Sequence, residues 1–299
     1  MTSPAEPLPG APPLHTIAFA LRENHIVLSV AVNGHDGNLI LDTGSSAGTL
    51  DRDWALGIGI TAKEKPVQAL GVASATASLA QVASIRFGTV ELSDETVALI
   101  PLGNVSASHE VPIHGTLGYS FFARFAVEVD YPRRVLRLWP APEYDYDRAG
   151  AIIPVDLKYR IPVANARLVP EDGEPFAARL VFDLGTSKYG AILNQRIVAE
   201  HHATLEQSMS EVQSLGAGFG GTASGRLTRL DRIEVGGYSI PAPVVALSET
   251  SDGFFGVTWA EGTIGAPSYI DSNVVVDYSR ARIIIEPSRD GAADVMAQS

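Results

Sequence analysis

Residues 38–46 read NLILDTGSS, so that three aliphatic residues run into an aspartate and small residues follow. Aspartate is a poor strand former, and an ionised carboxylate beside a buried strand is costly unless it is paired or hydrogen-bonded. Asp42 therefore needs a partner. The sequence contains a candidate, because residues 179–187 read RLVFDLGTS and place Asp183 in the same pattern.

The two stretches belong to a longer internal repeat. Residues 115–138 (GTLGYSFFARFAVEVDYPRRVLRL) match residues 262–285 (GTIGAPSYIDSNVVVDYSRARIII), and residues 84–88 (SIRFG) parallel residues 232–236 (RIEVG). Because the matching segments follow in the same order in both halves, the sequence predicts a tandem duplication of one unit. Prolines, charges and tyrosines interrupt the pattern near residues 140–150, which marks the predicted boundary.

Short alternating or continuous apolar runs dominate the chain and predict β-strands. Helical signals are few, and residues 51–60 and 192–202 carry the best of them. Residues 36–37 and 172–173 are both Asp-Gly and predict turns just before the two strands that end in the aspartates. The sequence therefore predicts a mostly β protein.

The repeat also predicts the domain organisation. A duplicated fold would relate two lobes by a pseudo-two-fold axis and bring one aspartate from each lobe to that axis. We expect a proline-rich linker at residues 1–14, an N-terminal lobe at 15–143, a C-terminal lobe at 144–287 and a tail at 288–299.

Composition excludes several classes of function. The formal net charge of −12 disfavours nucleic acid and anionic membranes as partners, because both require basic surface. No stretch approaches eighteen uninterrupted apolar residues, so no membrane span is expected. The chain has no cysteine, which removes disulfides and thiolate chemistry. Residues 1–14 do not read as an intact signal peptide. We expect a periplasmic or secreted protein whose signal has been removed, with a cytoplasmic location as the alternative.

Two carboxyl groups that share one site indicate acid–base chemistry. They cannot both ionise cheaply, so one holds a proton while the other stays charged. A water held between them is both activated and positioned for attack on an amide carbonyl, with the charged partner as general base and the protonated one polarising the carbonyl oxygen. Asp42 and Asp183 are thus the predicted catalytic pair.

The chain resembles the aspartic protease superfamily. Each half is similar to one retropepsin-type unit: an apolar run, Asp-x-Gly, a flap hairpin, and then an apolar-Gly element that passes beneath the catalytic loop in a ψ-shaped crossing. The resemblance implies a bilobal fold of β-barrel-like lobes with a cleft between them, and a bacterial protein with two fused units. It implies an aspartic endopeptidase without metal or cofactor, active as a monomer on extended peptides or proteins. The crossing elements would be Leu117, Gly118, Ile264 and Gly265.

The resemblance also implies roles for the residues beside the aspartates. Ser45 and Thr186 would donate hydrogen bonds to the outer carboxylate oxygens, and Gly44 and Gly185 would let the backbone approach the catalytic water. Thr43 would reach the opposite loop in the interlock known as the fireman's grip. Its mate in the repeat is Leu184, whose side chain can neither donate nor accept, so half of this interlock is missing.

Two segments rich in small residues, near residues 69–78 and 214–225, occupy the places where the retropepsin pattern has its flaps. We expect both to cover the substrate. Residues 71–78 contain no aromatic residue, so the flap tyrosine of pepsin-like enzymes is absent and a fused retropepsin dimer is the nearer comparison. The predicted flap residues are Gly71, Val72, Ala73, Ser74, Gly216, Gly218, Phe219 and Gly220.

Other interpretations are weaker. GAGFGG at 216–221 matches G-x-G-x-x-G, but strand-like alternation rather than a helix follows, so a hairpin tip is favoured over a dinucleotide site. His201-His202 lacks a spaced partner for a metal. The repeated Asp130 and Asp277 are interpreted as strand-end or turn residues. A peptide-binding protein of the same fold without catalysis is the main alternative, and a glycoside hydrolase is remote because its two carboxylates lack twin Asp-x-Gly loops.

Overall fold

The chain folds mainly into β-strands in a computed structural model, which describes residues 12–62, 66–206 and 209–287. The strands form one sheet in each half and a third sheet shared between the halves. The predicted mostly β, bilobal fold is therefore confirmed. The predicted tail at 288–299, and all of the predicted linker except residues 12–14, lie outside the described residues.

The N-terminal half alternates strands with short helices. Its strands are β1 (His15–Ala18), β2 (Ala20–Arg22), β3 (His25–Val32), β4 (His35–Leu41), β5 (Gly48–Asp51), β6 (Val67–Leu70), β7 (Ser74–Phe87), β8 (Val90–Ile100), β9 (Gly115–Leu117), β10 (Phe125–Asp130) and β11 (Val135–Pro140). Its helices are α1 (Arg52–Gly57), α2 (Gly103–Ser106) and α3 (Tyr119–Arg124).

The C-terminal half follows the same plan. Its strands are β12 (Ala151–Pro154), β13 (Val163–Val169), β14 (Phe176–Phe182), β15 (Ala191–Leu193), β16 (Gln213–Gly218), β17 (Gly221–Arg229), β18 (Arg232–Val235), β19 (Tyr238–Pro241), β20 (Val244–Ser248), β21 (Gly262–Ile264), β22 (Ser272–Asp277) and β23 (Arg282–Pro287). Its helices are α4 (Gln195–Glu200) and α5 (His202–Leu205).

The same crossing of strands lies at the centre of each lobe. In the N-terminal lobe β4 pairs in parallel with β9, and β9 pairs antiparallel with β5. In the C-terminal lobe β14 pairs in parallel with β21, and β21 pairs antiparallel with β15. The strands β4 and β14 end at Leu41 and Phe182, both fully buried, so each delivers the aspartate that follows to the same end of its lobe.

The third sheet joins the lobes. Its strand order is β1-β11-β10-β22-β23-β12, so each half contributes three neighbouring strands. The halves meet where β10 pairs antiparallel with β22, with Val127 opposite Val276 and Val129 opposite Val274. All four valines are fully buried. Burying one valine side chain stabilises a fold by roughly 1.5–3 kcal/mol, so this seam holds the two aspartate loops in a fixed relation.

Three local predictions need correction. The turn before β4 falls at residues 33–34 rather than at 36–37, because Asn33-Gly34 adopts the two positive φ angles (49° and 86°) that a tight hairpin turn requires, whereas residues 36–37 lie inside β4. The helix expected at 51–60 is confined to α1, with Asp51 as its cap. The helix expected at 192–202 begins only after β15, where Asn194 caps α4.

Aspartates 130 and 277 end β10 and β22 and are almost fully buried. The carboxylate of Asp130 accepts hydrogen bonds from the backbone amide of Arg133 (3.0 Å) and from the guanidinium of Arg137 (3.1 Å). Asp277 accepts from the amide of Arg280 (3.3 Å) and the guanidinium of Arg282 (2.8 Å). Both aspartates thus cap a turn and pair with an arginine.

Candidate active site

Each predicted catalytic aspartate lies in a tight loop directly after a central strand. The backbone amide of Gly44 donates to Oδ1 of Asp42 at 2.8 Å, and the amide of Gly185 donates to Oδ1 of Asp183 at 2.8 Å. The loops are thus closed by the same hydrogen bond. Both aspartates keep part of their surface exposed.

The structure brings the two loops together face to face. A Cβ atom added to Gly44 would lie 2.8 Å from Oδ1 of Asp183, and one added to Gly185 would lie 2.7 Å from Oδ1 of Asp42. Each glycine therefore packs against the opposite aspartate, and no larger residue fits there. The carboxyl groups of Asp42 and Asp183 are therefore close neighbours that influence each other's charge.

The apolar-Gly elements lie beneath these loops. The carbonyl of Leu117 accepts from the amide of Asp42 (3.0 Å), and the carbonyl of Ile264 accepts from the amide of Asp183 (2.9 Å). A Cβ atom on Gly118 or on Gly265 would lie within about 2.5 Å of a carbonyl oxygen of the loop above it (2.5 and 2.4 Å), so both positions require the absence of a side chain.

The electrostatic surroundings of the two aspartates differ. Burial and the negative charge of Asp183 raise the pKa of Asp42 well above its ordinary value. Burial also raises the pKa of Asp183, but hydrogen bonds from the Thr186 hydroxyl (2.7 Å to Oδ2) and the Gly185 amide oppose this rise. Asp42 is therefore the better site for the shared proton, and Asp183 the better site for the negative charge.

The expected role of the Ser45 side chain needs correction. Its hydroxyl donates to the carbonyl oxygen of Ala47 at 2.6 Å. A serine hydroxyl carries one hydrogen, so it cannot donate to Asp42 at the same time. Ser45 therefore donates to that carboxyl only through its backbone amide. The charged form of Asp42 is thus less stabilised than that of Asp183, which also accepts from a side-chain hydroxyl.

The cross-lobe interlock is made from one side. Thr43 is fully buried, and its hydroxyl donates to the carbonyl of Phe182 (2.7 Å) and accepts from the backbone amide of Leu184 (2.9 Å). The side chain of Leu184 is fully buried in the main hydrophobic core. The leucine thus replaces a second hydroxyl by apolar packing.

Tyr269 is a further support that the sequence analysis missed. Its hydroxyl donates to the carbonyl oxygen of Asp183 at 2.8 Å, and its ring stacks on Phe182. The repeat aligns this position with Phe122, which has no hydroxyl. Comparing the two halves position by position would have exposed this difference.

The predicted flap residues lie at and beside the tips of two hairpins. Strands β6 and β7 form the N-terminal hairpin, whose tip is residues 71–73, and β16 and β17 form the C-terminal hairpin, whose tip is residues 219–220. The tips touch, because the amide of Val72 donates to the carbonyl of Phe219 at 2.8 Å. The flap residues brought together here are Gly71, Val72, Ala73, Ser74, Gly218, Phe219 and Gly220, while Gly216 lies at a register shift within β16.

The C-terminal lobe also holds the N-terminal hairpin from the side. The carboxylate of Asp252 accepts from the backbone amide (3.1 Å) and the hydroxyl (2.7 Å) of Ser74, and the amide of Phe254 donates to the carbonyl of Gly71 (2.8 Å). Gly253 between them has a φ of +58° and leaves no room for a Cβ atom, which would lie 2.5 Å from the carbonyl of Gly71. Sequence analysis did not identify Asp252, which lies in an irregular loop without a partner in the repeat.

The weaker sequence patterns have structural explanations. GAGFGG spans the end of β16, the hairpin tip and the start of β17, so no helix follows it. His201 ends α4 and stacks on Phe176. Within residues 12–62, 66–206 and 209–287, no group of three or more His, Asp or Glu side chains could hold a metal, and no helix is long and apolar enough to cross a membrane.

Comparisons with known proteins agree with this geometry. Residues 28–121 match the family model "Aspartyl protease". The fold is similar to that of the aspartic proteinase from Irpex lacteus, with a TM-score of 0.54 and 12% sequence identity over 92% of this chain and 97% of that one. No curated protein sequence matches the chain. The family match thus spans the first aspartate loop, and the fold match extends over both lobes.

Proposed function

We propose that the protein is an aspartic endopeptidase that cleaves peptide bonds with a water molecule activated between Asp42 and Asp183. The observation that carries this proposal is the pair of facing carboxyl groups, one from each lobe, in matching glycine loops. Such a pair retains one proton over a broad pH range and so offers an acid and a base in one place.

The unequal surroundings of the two carboxyls assign the roles. Asp183 takes a proton from the water, whose oxygen attacks the carbonyl carbon of the scissile bond, while Asp42 gives its proton to the carbonyl oxygen. Asp183 then passes its proton to the amide nitrogen as the C–N bond breaks, and Asp42 recovers its proton from the collapsing diol. The proton count is the same before and after one turnover.

The two hairpins point to an extended peptide as the substrate. Their tips meet through backbone groups, such as the Val72 amide and the Phe219 carbonyl. A peptide in β conformation offers main-chain groups of the same kind and can pair with both tips once they separate. The substrate therefore binds between the paired aspartates and the hairpins.

The paired strands and the two aspartate loops also bear on the origin of the chain and on its oligomeric state. The matching strand pairings around β4 and β14 support an origin by duplication and fusion of one retropepsin-like unit. Because one chain contains both aspartate loops, the proposed active form is a monomer.

A peptide-binding protein without catalysis is the second candidate. The one-sided interlock at Leu184 and the diverted hydroxyl of Ser45 favour it, since both remove supports from the pair. Digestion of a peptide library across pH, with and without a statine-type transition-state mimic, distinguishes the two functions. Inhibitable cleavage supports the peptidase, and tight peptide binding without cleavage at any pH supports the binding protein.

Replacing either aspartate by asparagine should abolish cleavage. We expect Asp42→Asn and Asp183→Asn each to lower kcat/KM by about a thousandfold or more, and the double variant to fall little further, because the residues act as one unit. Asp42→Asn should also be more stable than the wild type at high pH. The raised pKa of Asp42 gives stability that is present at low pH and is lost as pH rises through it, whereas asparagine does not titrate. Substantial turnover by either single variant would contradict the proposed pair.

Thr186→Val should shift the acidic limb of the pH–rate profile. Removing the hydroxyl that donates to Asp183 raises the pKa of that carboxyl, and a hydrogen bond to a charged group is worth about 1.5–3 kcal/mol, so we expect a move of about one pH unit or more toward neutrality. Ser45→Ala is the matched control, because its hydroxyl serves Ala47 rather than Asp42. Equal shifts in both variants would contradict the assignment of roles.

Asp252→Ala should release the N-terminal hairpin. It removes the acceptor of two hydrogen bonds from Ser74, so we expect amide hydrogen exchange at residues 72–74 to accelerate up to roughly tenfold per bond lost. Glu249→Ala is the control, because Glu249 pairs with Arg226 at the surface instead. Unchanged exchange in Asp252→Ala would show that the contact does not restrain the hairpin.

Leu184→Thr should preserve the fold and the catalytic rate while lowering stability. The leucine is fully buried, and its loss from the core is expected to cost about 2 kcal/mol or more, partly offset by a second cross-lobe hydrogen bond. Chemical denaturation and steady-state kinetics measure the two effects. A folded variant without activity would mean that the leucine itself is required.

A further inference from the structure

The two hairpin tips are held to the opposite lobes by unequal contacts. The loop at residues 252–254 of the C-terminal lobe holds the N-terminal tip through three hydrogen bonds, two to Ser74 (3.1 and 2.7 Å) and one to Gly71 (2.8 Å). The side chain of Val72 also packs on a buried cluster of the C-terminal lobe that contains Phe255. The N-terminal hairpin is therefore fastened to both lobes.

The tip of the C-terminal hairpin has fewer such contacts. Among the residues that the structure describes, one hydrogen bond links residues 216–221 to a partner outside their own hairpin, and it runs from the amide of Val72 to the carbonyl of Phe219 (2.8 Å). The GAGFGG stretch carries one large side chain, the ring of Phe219. That ring packs on a buried cluster of the N-terminal lobe that contains Ile100 and Leu102. Phe219 is thus the main contact that holds this tip.

The glycines of the C-terminal tip let it lie flat on the N-terminal one. A Cβ atom on Gly218 would lie 2.5 Å from Cγ2 of Val72, and one on Gly220 would lie 2.4 Å from the carbonyl oxygen of Ala73. Both positions therefore meet the other tip with backbone atoms alone. The C-terminal tip can lift away without drawing any side chain except Phe219 out of a packed site.

The C-terminal hairpin also has a place to bend. Leu215 and Ala223 are buried, and the register between β16 and β17 shifts between Ser214 and Gly216. Gly216 has a φ of +129°, which residues with side chains rarely adopt, although a Cβ atom there would meet nothing within 4 Å. The glycine therefore provides a backbone conformation rather than space. A bend at this point would move residues 217–222 and leave the buried base in place.

We propose that the C-terminal hairpin alone opens to admit the substrate, with Gly216 as its hinge and Phe219 as its catch, while the N-terminal hairpin stays fixed between the lobes. The route of entry rests on the proposed peptidase function, but the unequal opening of the hairpins does not. Freeing the N-terminal tip breaks the three hydrogen bonds to the C-terminal lobe, which opening of the C-terminal tip leaves intact. Each such bond changes an opening equilibrium by about two- to tenfold, so the C-terminal tip opens far more often.

Amide hydrogen exchange, followed by NMR, tests the unequal opening without any substrate. The amide of Val72 donates to the C-terminal tip, whereas the amides of Ser74 and Phe254 join the N-terminal tip to the C-terminal lobe. Phe219→Ala removes the catch, so exchange at Val72 should accelerate about tenfold while the other two amides change less than about twofold. Val212→Ala, at an exposed apolar residue, is the control. Equal acceleration of all three amides would mean that the hairpins open together, and would overturn the proposal.

Two engineered disulfides test the route of entry. The chain has no cysteine, so no native thiol competes. A Cβ atom on Gly218 would lie 3.6 Å from Cβ of Val72, which is within the range of a disulfide, so Val72→Cys with Gly218→Cys ties the two tips together. Ser74→Cys with Asp252→Cys instead ties the N-terminal hairpin to the C-terminal lobe, where the two side chains are already hydrogen-bonded.

Each double variant is compared with itself, oxidised and reduced, in the binding of a statine-containing peptide. Oxidation of the Val72–Gly218 pair should slow association by about a hundredfold or more, because it blocks the opening step, and a reductant should restore it. Oxidation of the Ser74–Asp252 pair should change association less than about twofold. Loss of association in the second case, or no change in the first, overturns the proposal. If the wild type binds no such peptide, the peptidase function loses its support, and the exchange experiment alone decides whether the hairpins open unequally.

Discussion

The close approach of two carboxyl groups is the constraint on which the rest of the site depends. Each brings the cost of desolvation, and together they repel when both are charged, so the pair persists only if a proton is shared and donors surround it. This constraint explains the glycines on both sides. A Cβ atom on Gly44 or Gly185 would lie under 3 Å from the opposite carboxyl group, so the loops can meet only when both positions lack a side chain.

The lobes share a plan, yet their loops are supported unequally. Around Asp183 the Thr186 hydroxyl and the Tyr269 hydroxyl donate to the carboxylate and to the backbone carbonyl. At the matching positions of the other loop the Ser45 hydroxyl turns away and Phe122 has no hydroxyl. A symmetric scaffold thus carries an asymmetric pair, and this asymmetry assigns the acid and the base of the proposed hydrolysis to different carboxyl groups.

The sequence predicted the features that depend on short-range steric rules. The Asp-x-Gly loops and the crossings at Gly118 and Gly265 could be predicted from the sequence because only glycine fits at these positions. The prediction is stronger because both features occur twice. Contacts that depend on how distant segments pack together could not be predicted from the sequence. The direction of the Ser45 hydroxyl is a choice among rotamers, and the contacts of Asp252 with Ser74 and of His25 with His109 join segments more than eighty residues apart in sequence (separations of 178 and 84). The turn was predicted at residues 36–37 because two Asx-Gly pairs lie within five residues. The strands β3 and β4 pair as far as Val32 and His35, which leaves Asn33-Gly34 as the turn.

The supports of the site run from one lobe to the other. The N-terminal lobe holds the C-terminal aspartate loop through Thr43, Asn24 and His25. In the opposite direction, the C-terminal lobe holds the N-terminal hairpin through Asp252. Neither lobe alone therefore fixes its own part of the site. Because the C-terminal aspartate loop and the N-terminal hairpin are each held by residues of the other half, the geometry of the site depends on the buried seam between β10 and β22. A change that shifts this seam would act on both carboxyl groups at once.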